Sequence, residues 1–551
     1  MRGRERVVIS GTGASTALLL WVLSTGAPTY AEGSGQGGNE VFYVDATLDF
    51  DGDVLDWRFV DLVGDTGEEL VVVVGLDGGE RELRVHTLER GTIAREALHA
   101  VPLLKDILAW GIGDVRPELG PELLLMTPGG VWSYSLEHAG YRDNVLPLVR
   151  ADLIYDLPDP REVAYWEYVL PSAGGDLVLV PERDGISLWG PTAGAAPSTP
   201  YGRRAVFGEL VETTRLAAGA EDPDLQIGEG SADSSTSVTI GGDGTTVENE
   251  FSSLFIDENL RAGAELFSVS FSYDAPALVD LDGDGSLDLL RLTSASLIVH
   301  RGGKDGPATP PTRTEPLPDD LKEEDGESLK WNLVDLDGDG DLDLLAQAVP
   351  EVDGLENALN RILIYRFDGT TLLREKPDQI LRVEAGDLGI SVVDVDGDGR
   401  VDLAMRKFML PSLVGVVTGL EFEISTIVFL GERKGFARRP FLKDVDTFDE
   451  EGFADVFAVR NIVGDCDGDG IADLVEMDLN GAISIRRLRR ESSFFGGAEW
   501  SIDDSAWKTF KPSGELRDVV TEDLNGDGFP DIGCAGEGRL SLFLSTRGQG
   551  Q

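Results

Sequence analysis

The chain has 551 residues and a formal net charge of -53 at pH 7. A surface that acidic repels phosphate, which excludes nucleic acid as a partner. Hydrophobic residues make up 41% of the chain, enough for a substantial core, and its 68 glycines point to many tight turns.

The N-terminus reads as an export signal over residues 1–31. Arg2, Arg4 and Arg6 form a basic start, an apolar run covers 17–23, and Thr29-Tyr30-Ala31 offers a small residue at the cut. The apolar run is shorter than the roughly 20 residues a membrane span needs. No second apolar span follows, so the mature chain is expected to have no transmembrane span. The expected location is secreted, periplasmic or cell-surface. Residues 32–40 are Gly/Ser-rich and read as a flexible linker.

From Val41 onward the chain alternates short apolar segments with Gly, Asp and Pro. Examples are 70–74, 123–126, 177–180, 287–292, 362–365 and 540–544. Such segments are too short for helices and predict an all-β protein with many strands. His86 and His300 lie in strand-like runs and read as structural. Trp110, Trp132, Trp166 and Trp189 read as packing inside the fold rather than as a sugar platform. Cys466 and Cys534 are too few for a disulfide framework, although one bridge between them stays open.

One stretch recurs. Residues 334–345 read V-D-L-D-G-D-G-D-L-D-L-L, and the pattern starts again at Asp280, Asp394, Asp465 and Asp523. Worn copies start at Asp61 and Asp114, and an almost erased one at Tyr168. Arg116 stands among the acids of the second, where its guanidinium is expected to replace a cation. The successive intervals are 53, 54, 112, 55, 59, 71 and 58 residues. The double interval holds either an eroded repeat or an insertion, read here as an insertion at about 217–262. Residues 302–328, Pro-rich and charged, read as a long surface loop.

A period near that of four strands per copy predicts a β-propeller of about eight four-stranded blades, with seven or nine as alternatives. It would span 41–546, followed by a polar tail at 547–551. Only two strands follow the last copy. Residues 41–59 are therefore expected to complete that blade and close the ring.

The five clear copies predict metal loops. Positions 1, 3, 5, 7 and 9 are Asp280, Asp282, Asp284, Ser286 and Asp288 in the first, and Asp335, Asp337, Asp339, Asp341 and Asp343 in the second. They are Asp394, Asp396, Asp398, Arg400 and Asp402 in the third, and Asp465, Asp467, Asp469, Ile471 and Asp473 in the fourth. The fifth has Asp523, Asn525, Asp527, Phe529 and Asp531. Alternate acids turn their oxygens inward, glycines at positions 4 and 6 permit the curl, and position 7 offers its carbonyl. An all-oxygen shell of this kind favours Ca²⁺, at about five sites. An EF-hand needs Glu at position 12, which here is Arg291, Ala346, Met405, Glu476 or Cys534. Five divalent ions would offset only about ten negative charges, so most of the acidity has another origin.

These loops resemble the calcium loops of FG-GAP/VCBS-type repeats, the family that includes the integrin α-subunit propeller and many secreted bacterial proteins. The resemblance covers most of the mature chain. It implies a calcium-stabilised propeller serving adhesion or recognition of a protein or glycan partner, expected to be monomeric. No nucleophile elbow, P-loop, dinucleotide fingerprint or paired-histidine motif is present, so no catalytic residue is expected. The alternative is a carbohydrate-active enzyme on the same scaffold, such as a polysaccharide lyase.

Overall fold

Each repeat contains one run that is apolar at consecutive positions, and a strand of that kind must be covered on both faces. The computed structural model places these runs as the second strand of every blade. Val71, Val72, Val73 and Val74 in the first blade are all fully buried, as are Leu177, Val178, Leu179 and Val180 in the third. The structure describes most of residues 41–547 and, before them, only 7–8 and 19–20. The longer stretches it does not describe are 137–144, 154–162, 193–199, 217–225, 228–237, 240–245, 248–266, 410–420 and 450–458. The expected signal peptide and linker therefore lie almost wholly outside the described residues.

Eight antiparallel blades follow one another in a ring, as the repeat period predicts. Blade 1 runs Asp53–Val60, Glu69–Gly75, Arg81–Glu89 and His99–Leu103. Blade 2 runs Ala109–Gly113, Glu122–Thr127, Gly130–Tyr134 and Val145–Arg150. Ala164–Tyr165 adds a short parallel strand to its first strand. Blade 3 runs Val169–Leu170, Leu177–Glu182, Gly185–Pro191 and Tyr201–Phe207. Blade 4 runs Ala277–Val279, Asp288–Leu292, Ser296–His300 and Arg313–Pro316. Blade 5 runs Glu327–Val334, Asp343–Pro350, Ala358–Tyr365 and Gln379–Ala385. Blade 6 runs Asp387–Val393, Asp402–Met409, Glu421–Phe429 and Leu442–Asp449. Blade 7 runs Val459–Ile462, Leu474–Met477, Ile483–Arg486 and Lys508–Phe510. Among the described residues the one helical turn named is the 3-10 turn Asp319–Leu321.

Blade 8 closes the ring. Leu516–Glu522, Asp531–Gly536 and Arg539–Arg547 form three strands, and Val41–Asp49 pairs along the last of them. The closing segment is thus shorter than residues 41–59, because Asp53–Val60 already begins blade 1. The turn between the two is tight: a Cβ on Gly52 would sit 2.1 Å from the Gly75 carbonyl oxygen. The pairing strand ends at Arg547, so the expected tail begins one residue later.

One other expectation changes. Within 302–328, Arg313–Pro316 is a strand of blade 4, with Pro316 opposite Ser296. It is the outermost strand of its blade, where a proline costs no ladder bond. Among the described residues the double interval shows no additional four-stranded blade, in keeping with the insertion read there. Gly208–Tyr273 is a separate compact unit, in which Val211–Leu216 pairs with Phe267–Ser272 and three short strands form a second small sheet.

Cores lie between blades rather than within them. Leu344 and Ala346 pack with Ala277, Leu290 and Trp331 toward blade 4, while Leu345 packs with Leu403 and Met405 toward blade 6. Blade 8 meets blade 1 through Leu48, Leu540, Leu542, Val72 and Val74. Cys466 and Cys534 are buried in the core shared by blades 7 and 8 and form no disulfide. Trp110 and Trp166 are buried, with indole N–H groups bonded to Asp56 at 3.1 Å and to the Leu179 carbonyl at 2.9 Å. Trp189 donates to Glu182 at 2.6 Å. His86 and His300 are buried, each bonded through Nδ1 to a backbone carbonyl at 2.9 Å, Ala94 and Ala308 respectively.

Deleting the chain through Asp49 removes nine ladder positions and the buried side chains of Val41 and Leu48. Chemical denaturation should then show a clearly lower midpoint; an unchanged midpoint would contradict the closure.

Candidate metal centres

Every repeated loop joins the first and second strands of its blade, so the strands fix both of its ends. The carboxylate at position 1 sets the curl. Asp335 accepts N–H bonds from Gly338, Asp339 and Gly340 at 2.7–3.2 Å. Asp280, Asp394, Asp465 and Asp523 do the same in their loops. Position 5 accepts the N–H of position 7 in all five, at 2.9–3.0 Å, for Ser286, Asp341, Arg400, Ile471 and Phe529. The curl needs left-handed backbone at positions 4 and 6, as at Gly283 and Gly285 with φ of 66° and 85°.

Position 9 is a staple. Asp288, Asp343, Asp402, Asp473 and Asp531 are at most 3% exposed, and each accepts the N–H of position 2 in its own loop. Four of them use the second oxygen to hold the far end of the third strand or the turn after it, through the N–H of Ser545 within the strand in blade 8 and of Gly302, Phe367 or Gly431 just beyond it in blades 4, 5 and 6. The worn slots keep this device with glutamate. Glu69 holds the Leu62 N–H at 2.8 Å, and Glu122 holds Val115 at 3.0 Å. Arg116 donates to the Ser133 hydroxyl at 3.0 Å and to the Ser133 carbonyl, and its charge also acts on Glu122. The third slot is a shortened turn: Leu170 already belongs to the first strand, and Asp176 accepts the N–H of Ser172.

Neighbouring loops touch. Leu342 donates its N–H to the Leu281 carbonyl, and Ala472 to that of Val395. A Cβ on Gly397 would sit 2.3 Å from the Gly470 oxygen. Pro530, in the corresponding place next to Cys466, has no N–H. The Tyr43 hydroxyl takes over there, lying 3.4 Å from the Cys466 carbonyl and 3.0 Å from that of Pro530.

Four loops bring three carboxylate oxygens within 4.8 Å of one another. The sets are Asp280, Asp282 and Asp284; Asp335, Asp337 and Asp339; Asp394, Asp396 and Asp402; and Asp465, Asp467 and Asp473. Each set contains one buried oxygen that accepts no hydrogen bond: Oδ1 of Asp282, Asp337, Asp396 and Asp473. A buried carboxylate oxygen without a donor is costly unless a cation meets it. All-oxygen donors on a curled loop are the ligand set of a hard divalent ion, so the residues fit Ca²⁺. Among the described residues the loop at Asp523 forms no such set. Asn525 stands at position 3, its amide N–H groups engaged by Asp531 at 3.2 Å and the Ser545 carbonyl at 2.7 Å. Glu476, at the EF-hand position 12, points away from its loop and pairs with Arg460 and Arg486.

Guanidinium groups also reach these loops. Arg301 pairs with Asp282 and lies 3.5 Å from Asp284; Arg366 meets Asp337 at 2.6 Å. Arg400 pairs with Asp398, and Arg487 with Asp467. Sequence spacing misses three of them, because Arg301, Arg366 and Arg487 follow position 9 by 13, 23 and 14 residues.

Burial raises the carboxyl groups of the staples. Asp343, Asp402 and Asp531 are pushed up to about 7 and Asp473 to about 8, with neighbouring site acids adding to the push in Asp343, Asp402 and Asp473. Asp288 moves the same way.

These features define the class: an eight-bladed propeller with acidic oxygen-donor loops between the first two strands of its blades. The family model of an FG-GAP-like repeat matches residues 280–346 and 335–405, so the chain carries FG-GAP-like repeats there. No curated protein matches the chain. Among solved structures, a lectin of Agrocybe aegerita described as recognising non-reducing terminal N-acetylglucosamine is 13% identical. That match has a TM-score of 0.32 and covers 81% of this chain and 87% of the lectin. The S. cerevisiae core factor is 10% identical with a TM-score of 0.25, covering 75% of this chain and 61% of its own.

Two predictions follow from the staples. Asp343→Ala strands the buried N–H groups of Leu336 and Phe367, and should cost about 2–4 kcal/mol in denaturant unfolding. The second concerns pH. Acids whose folded pKa is raised from 3.8 to about 7–8 leave stability intact below pH 4 and withdraw it as pH rises through 7–8. In chelator, the melting temperature should therefore climb as pH falls from 8 to 5.5. Since a divalent ion favours the ionised form, the calcium-induced increase should shrink over the same range.

Proposed function

We propose that this protein is an exported, calcium-binding β-propeller that acts as a non-catalytic recognition or adhesion module for a protein or glycan partner. The observation that carries the calcium reading is the repetition in register. Four blades place three carboxylates around a buried oxygen with no donor. A solvated acidic turn has no reason to repeat that arrangement.

The metal clips one face of the ring. Each ion would bind the loop that joins the first two strands, and the loops of neighbouring blades already touch. Loading therefore stiffens blade 4 against 5 and blade 6 against 7. Millimolar calcium outside the cell suits sites built on demand for metal, and the expected export signal is in keeping with that setting. Among the described residues no helix is long and apolar enough to cross a membrane. The recognition role rests on the FG-GAP-like repeats, a family used for adhesion.

The test has two arms on the mature chain. Calorimetric melting with calcium and with excess chelator should differ strongly, since a site filled at about 1,000 times its dissociation constant adds roughly 4 kcal/mol. Identical curves would remove the calcium reading. Glycan-array and pull-down screening with and without calcium should then find a partner retained only with the metal. Turnover of a polysaccharide in place of stable binding would favour the enzyme instead.

A further inference from the structure

Three arginines occupy one place in three blades. Arg301, Arg366 and Arg487 each come directly after the last residue of the third strand, where His300, Tyr365 and Arg486 pair with the residue that follows position 9: Leu289, Leu344 and Leu474. Each sends its guanidinium back across the blade to the aspartate at position 3 of its own loop: Asp282, Asp337 and Asp467. In blades 6 and 8 the residue at the same place, after Phe429 opposite Leu403 and Phe543 opposite Ile532, is leucine: Leu430 or Leu544. Blade 6 carries Arg400 inside its loop, on Asp398, and blade 8 replaces the position-3 acid by Asn525.

The arginines are not what curls the loops. All five loops share the same N–H bonds to position 1, including the two with leucine at that place. What an arginine adds is one positive charge beside three or four carboxylates. In Asp282 and Asp337 it engages Oδ2 and leaves Oδ1 buried and without a donor. Arg366 is also anchored from the far side, by the Arg433 carbonyl at 2.7 Å.

We propose that Arg301, Arg366 and Arg487 are built-in counter-cations: they hold the loops of blades 4, 5 and 7 folded without metal and set how tightly those loops take calcium. The arginine and the ion share the same carboxylates. Positive charge already in place lowers the gain from adding more, and lowers the repulsion that would open the loop when calcium is scarce. This inference rests on the calcium reading and concerns affinity rather than the existence of the sites.

The experiment uses the full mature chain and four variants: Arg366→Gln, Arg301→Gln in a second blade, Arg366→Lys to keep the charge, and Arg406→Gln as a control. Arg406 pairs with Asp387 on the first strand of blade 6, away from the loop. Calcium titration by calorimetry and melting in chelator are the readouts. Both Gln variants should melt lower than the Arg406→Gln control in chelator. Each should bind calcium at one site about threefold to tenfold more tightly, as expected for removing one unit charge near a divalent ion. Arg366→Lys should stay near wild type. Weaker binding in the Gln variants would mean that the arginines orient the aspartates, and would overturn the proposal; unchanged binding would overturn it as well. A wild-type chain that takes up no calcium would overturn both this inference and the calcium reading, so the two failures are told apart by the wild-type titration.

Discussion

The second strand of each blade is apolar on both faces, and the rest of the architecture answers to that. A sheet with such a strand at its heart cannot leave either side to water. Covering every blade on both sides, with no end left over, requires a closed ring. Consecutive residues therefore serve different cores: Leu344 faces blade 4 and Leu345 faces blade 6. The same demand explains the closure. Three strands at the C-terminal end form an incomplete blade, and Val41–Asp49 completes it with Leu48 in the core and Tyr43 bonded across the seam.

Around that ring the acidic loops do two jobs with one motif. The carboxylate at position 9 is a structural staple, buried and bonded to backbone N–H groups whether or not the remaining acids survive. Glu69 and Glu122 keep it in blades 1 and 2, where the metal-ligand pattern has worn away. The acids at positions 1, 3 and 5 are different. They crowd together, joined by position 9 in blades 6 and 7, and each cluster leaves one oxygen without a donor, an arrangement that is unfavourable unless a cation meets it. Part of the chain's acidity is therefore gathered in clusters that could hold a metal ion, and arginines reach the same carboxylates.

Much of this was legible in the sequence because the repeat is strict where the physics is strict. The glycines at positions 4 and 6 mark five of the first turns and the acid at position 9 marks all eight, and eight such marks gave eight blades. What the sequence concealed lies where spacing varies. Arg313–Pro316 looked like loop because prolines there interrupt no ladder on an outermost strand. The closing strand seemed longer than it is, since nothing in residues 41–59 marks the bend at Gly52 except its contact with Gly75. The paired arginines were invisible because the hairpins between position 9 and their strand differ in length. The fifth loop, read as equal to the others, turns out to tie its Asn525 amide to Asp531 and Ser545, so the metal pattern there is the weakest.

The most direct measurement is the anomalous difference density of calcium in crystals grown with the metal. The account predicts peaks inside the loops that begin at Asp280, Asp335, Asp394 and Asp465, each against the position-3 carboxylate, with the loop at Asp523 weaker or without a peak. Strong peaks elsewhere with these four loops empty, or no ordered calcium at any of them, would contradict it.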